Sequence, residues 1–311
     1  MFVPPHEFAI NLPQVLSDVR VESYKAWSWP SLLALSFTDR RIALALAGSA
    51  FTLVVTLSIA FVSPKELFSV HRGPGAFYQV IPFLAMLGPA LVVSFYGTAV
   101  WIAGGARFWI DTERLLRKQS ALRALAEAAG EILNLRWLQG GGPGCYYPGA
   151  QPSPLRRLYH CLVFYGFLSA LGSTTLAAIY QDLLHRFPPY SLTSAPVMFG
   201  TVGGIGMVVG VAGLISIKWK SNRTPQGGTR AVSVDYLFLI SLGLASLSGL
   251  LTLAFRATRA MGLILTIHLG LIAALFITMP YGKFVHSIYR SLAILKHRME
   301  QSHSRAGATQ H

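Results

Sequence analysis

Six stretches of the chain contain no Asp, Glu, Lys or Arg for 20 residues or more, and they constrain the fold more than any other feature. They cover residues 42–63, 73–106, 158–181, 187–217, 236–255 and 260–282. A helix of about 20 apolar residues crosses the roughly 30 Å hydrocarbon core of a bilayer. Charged residues make up only 12% of the chain, against about 25% in soluble domains. The sequence therefore predicts an all-α, polytopic membrane protein and excludes a water-soluble globular domain.

The uncharged stretches divide the chain into a membrane domain and two flanking segments. Residues 1–40 form a Trp-containing lead-in at the cytoplasmic interface, residues 41–290 the membrane domain, and residues 291–311 a basic cytoplasmic tail. We expect six transmembrane helices, with the cytoplasmic loop 105–158 between the second and the third. Their approximate bounds are 41–62, 76–104, 159–181, 196–217, 235–255 and 260–284.

The basic residues predict the orientation of these spans. With six spans, 21 of the 26 Lys and Arg residues fall on the side that carries both termini, and five fall on the other. Cytoplasmic loops carry the excess of Lys and Arg in membrane proteins. We therefore expect both termini in the cytoplasm and the protein in the inner (cytoplasmic) membrane. The net charge of +14 is then a sign of topology and lipid contact, and nucleic acid is not an expected partner.

The long loop carries a second type of helical pattern. Residues 109–138 place apolar side chains at helical spacing with charges between them, and the run GGGPG at 140–144 follows. This pattern is typical of an amphipathic helix that ends at the glycines. Two interpretations are open: a cytoplasmic docking surface for a partner protein, or a helix that lies on the membrane without one.

The fourth span is rich in glycine. The glycines are Gly200, Gly203, Gly204, Gly206, Gly210 and Gly213. Small residues at such spacing let helix backbones approach closely. The pattern favours a tightly packed helix, with a glycine-lined ligand path as the alternative.

Histidines are the ionisable residues of interest in the spans, where acids are almost absent. Ionisable groups in the membrane are costly and so indicate function. His268 and His286 are 18 positions apart, which on one continuous helix is five turns, so both would share a face about 27 Å apart along the axis. That arrangement is typical of a helix that offers one axial ligand to each of two haems.

His160 is the expected partner of His286 at a first haem. His160 follows Arg157 by three positions at the cytoplasmic start of span three, and His286 follows Lys283 by three at the cytoplasmic end of span six. Nearby cations are candidates to neutralise haem propionates through charge-assisted hydrogen bonds. They are Arg156, Arg157, Lys283 and Arg290. The alternative is a pair of interfacial histidines with ordinary hydrogen bonds.

A second haem at His268 has weaker support in the sequence. His71, before span two, and His185, after span three, lie on the correct side, but both are expected in loops that are too shallow. The alternative is a buried histidine that is hydrogen-bonded to a serine or a backbone carbonyl.

Several segments, in order along the chain, resemble one family. They are PPHEFAINLP, GAFYQVIP, GGGPGCYYPGAQPSPLRRLYHCLVFYGF, GTVGGIGMVVGVAGL, AMGLILTIHLG and LFITMPYGKFVHSIYR. Together they resemble the C-terminal membrane domain of the tricarballylate/citrate utilization protein B family, over nearly the whole chain.

The resemblance implies a membrane subunit that transfers electrons. Family members look like fusions of an iron–sulfur part with a haem-carrying membrane domain, which pass electrons from the reduced flavin of a partner dehydrogenase to the respiratory chain. His160, His268 and His286 match family histidines. Two cysteines, Cys145 and Cys161, are too few for an iron–sulfur cluster, which takes about four thiolates. The iron–sulfur centres are therefore expected in a separate protein or domain.

The chain also departs from the family pattern. Cys161 stands where a second consecutive histidine is common, and Phe83 and Gln181 stand where members often carry histidine. Phe83 and Gln181 fall on the outer side, which puts a second haem in doubt and leaves the His160/His286 site intact.

The sequence thus predicts a cytochrome-b-like subunit with at least one b-type haem and with quinone as electron acceptor. Tyr281, Lys283 and Tyr289 are candidates for a quinone headgroup site, or else belong to the aromatic belt at that depth. Two other functions stay open. One is a tricarboxylate transporter component, and the other is a haem-free membrane anchor for a dehydrogenase.

Overall fold

A computed structural model describes residues 12–34, 39–112, 121–138, 145–146, 152–220 and 229–308. Helices dominate these residues, together with one short antiparallel pair of strands, β1 (Cys145–Tyr146) and β2 (Pro152–Ser153). The α-helices are α1 (Leu12–Trp27), α2 (Arg40–Phe61), α3 (Pro64–Leu67), α4 (Ala76–Val80), α5 (Phe83–Thr112), α6 (Ala121–Leu133), α7 (Leu155–Asp182), α8 (Ala195–Lys220), α9 (Thr229–Ala254), α10 (Met261–Thr278) and α11 (Val285–Ala308). Short 3-10 helices follow α6 at Arg136–Leu138 and α10 at Met279–Tyr281.

Within the described residues, six helices are long and apolar enough to cross a membrane, which confirms the number of spans. These are α2, α5, α7, α8, the Val234–Ala254 part of α9, and Met261–Tyr281, which comprises α10 and its 3-10 turn. Large apolar side chains on their outer faces are exposed, among them Val92, Phe95 and Ile102 of α5. Such a surface suits lipid rather than water.

The second span begins later than predicted, and the reason is Pro82. Residues 76–104 were expected to form one helix, but α4 ends at Val80 and α5 runs from Phe83 to Thr112. Ile81 between them is extended, which is the conformation that a following proline favours.

The sixth span ends earlier than predicted, so His268 and His286 do not share a continuous helix. The span was expected to cover 260–284, whereas α10 ends at Thr278 and a 3-10 turn containing Pro280 follows. Gly282 is extended, and α11 begins only at Val285. The five-turn argument that placed both histidines on one face is therefore wrong, because the helical rotation is interrupted between them.

The predicted loop helix over 109–138 is divided in the structure. Its first residues belong to the end of α5, residues 113–120 lie outside the described part, and α6 covers Ala121–Leu133. The glycine run at 140–144 also lies outside the described residues. Helix α11 runs without a break across the predicted boundary between the membrane domain, which ends at residue 290, and the tail, which begins at residue 291.

Helix α10 lies at the centre of the bundle, and the glycines of α8 let α7 pack closely against α8. Helix α10 packs against α2, α5 and α9 and is the most buried of the six spans. A Cβ on Gly203 would lie 2.7 Å from the carbonyl oxygen of Gly166 on α7, and one on Gly204 would lie 2.9 Å from Leu250 on α9. The glycine spacing of the fourth span therefore produces close helix contact, as predicted.

An aromatic cluster ties α1, the end of α5 and the start of α11 together. Tyr24, Phe108 and Tyr289 are buried in it, with Tyr24 and Tyr289 stacked at 5.0 Å. The segment before the first span, the end of the second span and the last helix therefore meet at one end of the bundle, called here the α1–α11 end. The candidate site lies at this end.

Candidate functional site

Helix α7 carries His160 next to a residue that is held by α8. The ring of the preceding residue, Tyr159, lies directly against Gly213, where a Cβ would collide with it. A Cβ on Gly210 would lie 2.8 Å from the carbonyl oxygen of Tyr159. The missing side chains of two glycines thus let the first turns of α7 sit against α8 and hold the backbone of His160 in place.

The short segment between α10 and α11 carries His286 into the same region. Phe284 packs between Phe167 of α7 and Phe238 of α9, with ring centroids 4.8 and 5.2 Å away. The ammonium of Lys283 lies 2.6 Å from the carboxylate of Asp235 on α9. These two contacts fix the segment from which α11 starts.

The rings of His160 and His286 meet edge to face. Their centroids are 6.2 Å apart and their planes make an angle of 84°. Both residues are half-buried. The structure therefore brings together the two histidines that were predicted to form a pair.

The hydrogen bonds of the two rings indicate which nitrogens face a ligand. Nδ1 of His286 donates to the carbonyl oxygen of Lys283, and because a carbonyl only accepts, Nε2 is left to bind a metal. Nδ1 of His160 is buried and has no hydrogen-bond partner in the described part of the chain. Burial lowers the pKa of His286, and the bond to Lys283 opposes this in part. The neutral imidazole, which is the form that binds metals, is therefore favoured.

The separation of the rings suits one metal ion between them. An imidazole nitrogen binds a transition metal at about 2 Å, so two imidazoles on opposite sides of one metal have centroids roughly 6 Å apart. The buried Nδ1 of His160, which has no hydrogen-bond partner in the described part of the chain, is a second feature expected of a metal ligand. The centroid separation of 6.2 Å therefore matches that of two imidazoles on one metal, while the rings themselves are oriented edge to face.

The predicted propionate cations lie around this pair, but two of them have other partners. Arg157 donates to the carbonyl oxygen of Asn134 at 2.9 Å, and Lys283 is bound to Asp235. Arg290 interacts electrostatically with both histidines, and Arg156 does so with His160. Arg156 and Arg290 are the two predicted cations whose charges act on the ring of His160.

The other two candidate histidines are engaged elsewhere. His268 lies against α9, where its Nδ1 is 2.9 Å from the hydroxyl of Ser248. His71 uses both ring nitrogens, Nδ1 at 2.8 Å from Gln79 Oε1 and Nε2 at 2.7 Å from the carbonyl of Glu66. Neither makes a ring contact with another histidine within the described residues.

The candidate quinone residues are divided between two environments. Tyr281 is buried, with its hydroxyl 2.6 Å from that of Tyr96 and donating to the carbonyl of Trp29 at 3.0 Å. Tyr289 lies in the aromatic cluster, where burial raises its pKa to about 12. Of the three candidate quinone residues, Tyr281 and Lys283 are among those that line the small cavity between α2, α9 and α10, whose volume is about 30 Å³.

Asp235 is the residue of this region that sequence reasoning missed. Its Oδ2 accepts a hydrogen bond from Lys218 at 2.6 Å, whereas its Oδ1 lies 2.6 Å from the ammonium of Lys283 in an ion pair that lacks hydrogen-bond alignment. The sequence did contain a sign of its importance, because Asp235 borders an uncharged span in a chain with only 12 acidic residues.

Comparison with known proteins places the chain in a family. The model of the family described as citrate utilization protein B matches residues 37–307. Citrate utilization protein B of Escherichia coli is 35% identical over 301 residues, which cover 96% of this chain and 78% of that protein. No solved structure gives a significant match. The chain, with its six apolar helices and its paired histidines, therefore belongs to the citrate utilization protein B family.

Proposed function

We propose that this protein is an electron-transfer subunit of the cytoplasmic membrane that serves the utilization of citrate or tricarballylate. It would take electrons from a flavoprotein dehydrogenase through an iron–sulfur protein or domain and pass them through b-type haem to the quinone pool of the respiratory chain. The observation that carries this proposal is the contact between His160 and His286, with centroids 6.2 Å apart.

The two imidazoles are the proposed axial ligands of one haem. When bound, haem supplies reversible one-electron transfer, and the protein tunes it through axial ligands, hydrogen bonds and burial. His286 would use Nε2, since its Nδ1–H is held by the Lys283 carbonyl. Arg156 and Arg290 would face the propionates, because their charges already act on the histidine pair.

A second haem at His268 is not part of the proposal. Its Nδ1 is bonded to Ser248, and no second imidazole contacts it in the described residues. One haem per chain is therefore the proposed content.

The α1–α11 end is the proposed place of electron delivery. It is the end at which the histidine pair and the start of α11 lie, and the positive-inside rule assigns this end to the cytoplasm. A soluble donor would approach the histidine pair from there.

The predicted quinone residues Tyr281 and Lys283 reach the wall of the cavity behind the 282–284 segment, which is otherwise lined mostly by apolar side chains. Its volume of about 30 Å³ has room for about one water molecule and is too small for a quinone headgroup, so the proposal places no quinone site there.

An absorption spectrum of the purified protein, reduced with dithionite, tests the proposal. We expect the α-band of a b-type haem and about one haem per chain, since one histidine pair offers two axial ligands. A protein that is purified folded from cells with sufficient haem and shows no α-band would overturn the proposal. The protein would then be a membrane anchor without haem.

A further inference from the structure

We propose that Asp235 is a positioning residue that sets the orientation of the His286 ring through Lys283. The inference rests on the proposed haem function. It adds a residue on a different helix that would not touch the iron, the porphyrin or either imidazole.

Asp235 joins two lysines from different parts of the fold. Its Oδ2 lies 2.6 Å from Lys218, in the last turn of α8, and its Oδ1 lies 2.6 Å from Lys283. All three side chains are partly buried, with exposed fractions of 26% for Asp235, 14% for Lys218 and 37% for Lys283. Loss of one partner from a partly buried ion pair leaves the other charge poorly compensated. The carboxylate therefore holds the ammonium of Lys283 near α9 through charge attraction, without a directed hydrogen bond.

The backbone of Lys283 in turn restrains His286. The carbonyl oxygen of Lys283 accepts the ring Nδ1–H of His286 and also its backbone N–H, the latter at 3.2 Å. A partner at the second ring nitrogen sets the tautomer and the rotation of a metal-binding histidine. Any rotation of the Lys283 peptide would therefore turn the imidazole.

The packing of Phe284 keeps the segment between α10 and α11 in place, but it does not fix the rotation of the Lys283 peptide. Phe284 packs between Phe167 and Phe238 through ring contacts that do not involve the ammonium of Lys283. Loss of Asp235 should therefore leave the histidines together and haem bound, and change the angle between the rings. That angle is 84° in the structure.

Electron paramagnetic resonance of the oxidised protein measures this angle. The largest g value of a low-spin ferric haem depends on the angle between the two axial imidazole planes, and a distant charge alone does not move it. The variants are Asp235→Asn, Lys283→Gln and the charge-exchanged double variant Asp235→Lys with Lys283→Asp. Lys220→Gln, an exposed lysine at the same end of α8, is the matched control.

We expect the largest g value to shift in both single variants, with haem content retained, and to move back toward the wild-type value in the exchanged pair. Lys220→Gln should leave it unchanged. The inference is overturned when haem is bound and both single variants keep the wild-type g value, or when the control shifts as much as they do. If Asp235→Asn does not fold, the comparison of the largest g value between Lys283→Gln and Lys220→Gln decides the inference alone. Absence of haem from the wild type is a different result, which overturns the proposed function itself.

Discussion

His160 and His286 lie on different helices, yet their rings are in edge-to-face contact at 6.2 Å. The contact depends on glycines that let α7 pack against α8, and on the helix break between α10 and α11 that precedes His286. The first two predictions concern this pair.

Replacement of His160 or His286 by Ala should remove the haem signal. Each variant deletes one of two proposed axial ligands, and a single imidazole does not retain a six-coordinate low-spin haem. The measurement is the reduced-minus-oxidised spectrum, with haem quantified per chain. His297→Ala, on the same helix as His286 but bonded to Gln301, is the control and should keep the full signal. A full signal in both ligand variants would show that other residues hold the haem.

The wild-type protein, when oxidised, should give a strongly anisotropic low-spin signal. Imidazole planes at 84° are nearly perpendicular, which leaves two iron d orbitals close in energy and spreads the g values widely. Electron paramagnetic resonance at low temperature measures this. A rhombic signal with a modest spread, typical of parallel imidazoles, would contradict the ring geometry.

Gly210→Ala should destabilise the protein and disturb the site. The added Cβ would lie 2.8 Å from both the carbonyl oxygen of Tyr159 and Cγ2 of Val163, so α7 must move away from α8. Overpacking of this kind costs about 1–3 kcal/mol. Thermal unfolding in detergent measures the change. Gly48→Ala, where no atom lies within 4 Å of the added Cβ, should be close to neutral, and equal losses in both variants would refute the packing argument.

Acidification should release α6 from α11. Glu131 on α6 is 6% exposed and binds Arg298 of α11 and Arg136. Its hydrogen bond to Arg298 is the main cause that lowers its pKa below 4.5. Because the pKa of Glu131 is lower in the folded than in the unfolded state, its ionised carboxylate stabilises the contact at pH values above the unfolded-state pKa. This contribution is lost as the pH falls below about 4.5 and through the folded-state pKa.

Hydrogen exchange of residues 121–133 as a function of pH tests this release. Protection should fall in acid in the wild type, whereas Glu131→Gln should have low protection at every pH. Glu22→Gln, which removes an exposed ion pair with Lys25, should behave as the wild type. Acid-resistant protection in the wild type would argue against this role of Glu131.

Hydropathy and local spacing were enough to predict the six spans, because a bilayer requires about 20 apolar residues per helix whatever the helix then packs against. The glycines of the fourth span predicted close helix contact for a similar reason, since only small residues permit it. His160 and His286 each follow a basic residue by three positions at a span end, and this predicted that they lie at the same depth in the membrane. Depth alone does not say which faces of two helices meet.

Tertiary structure decided the rest. The break around Pro280 and Gly282 separates His286 from the helix of His268, so their spacing of 18 positions carries no information on a shared face. The ion pair of Asp235 with Lys283 joins helices that are distant in sequence. Apolar periodicity determines which segments enter the membrane, whereas the rotation of each helix and the partner of each polar group depend on contacts between segments, which no local pattern contains.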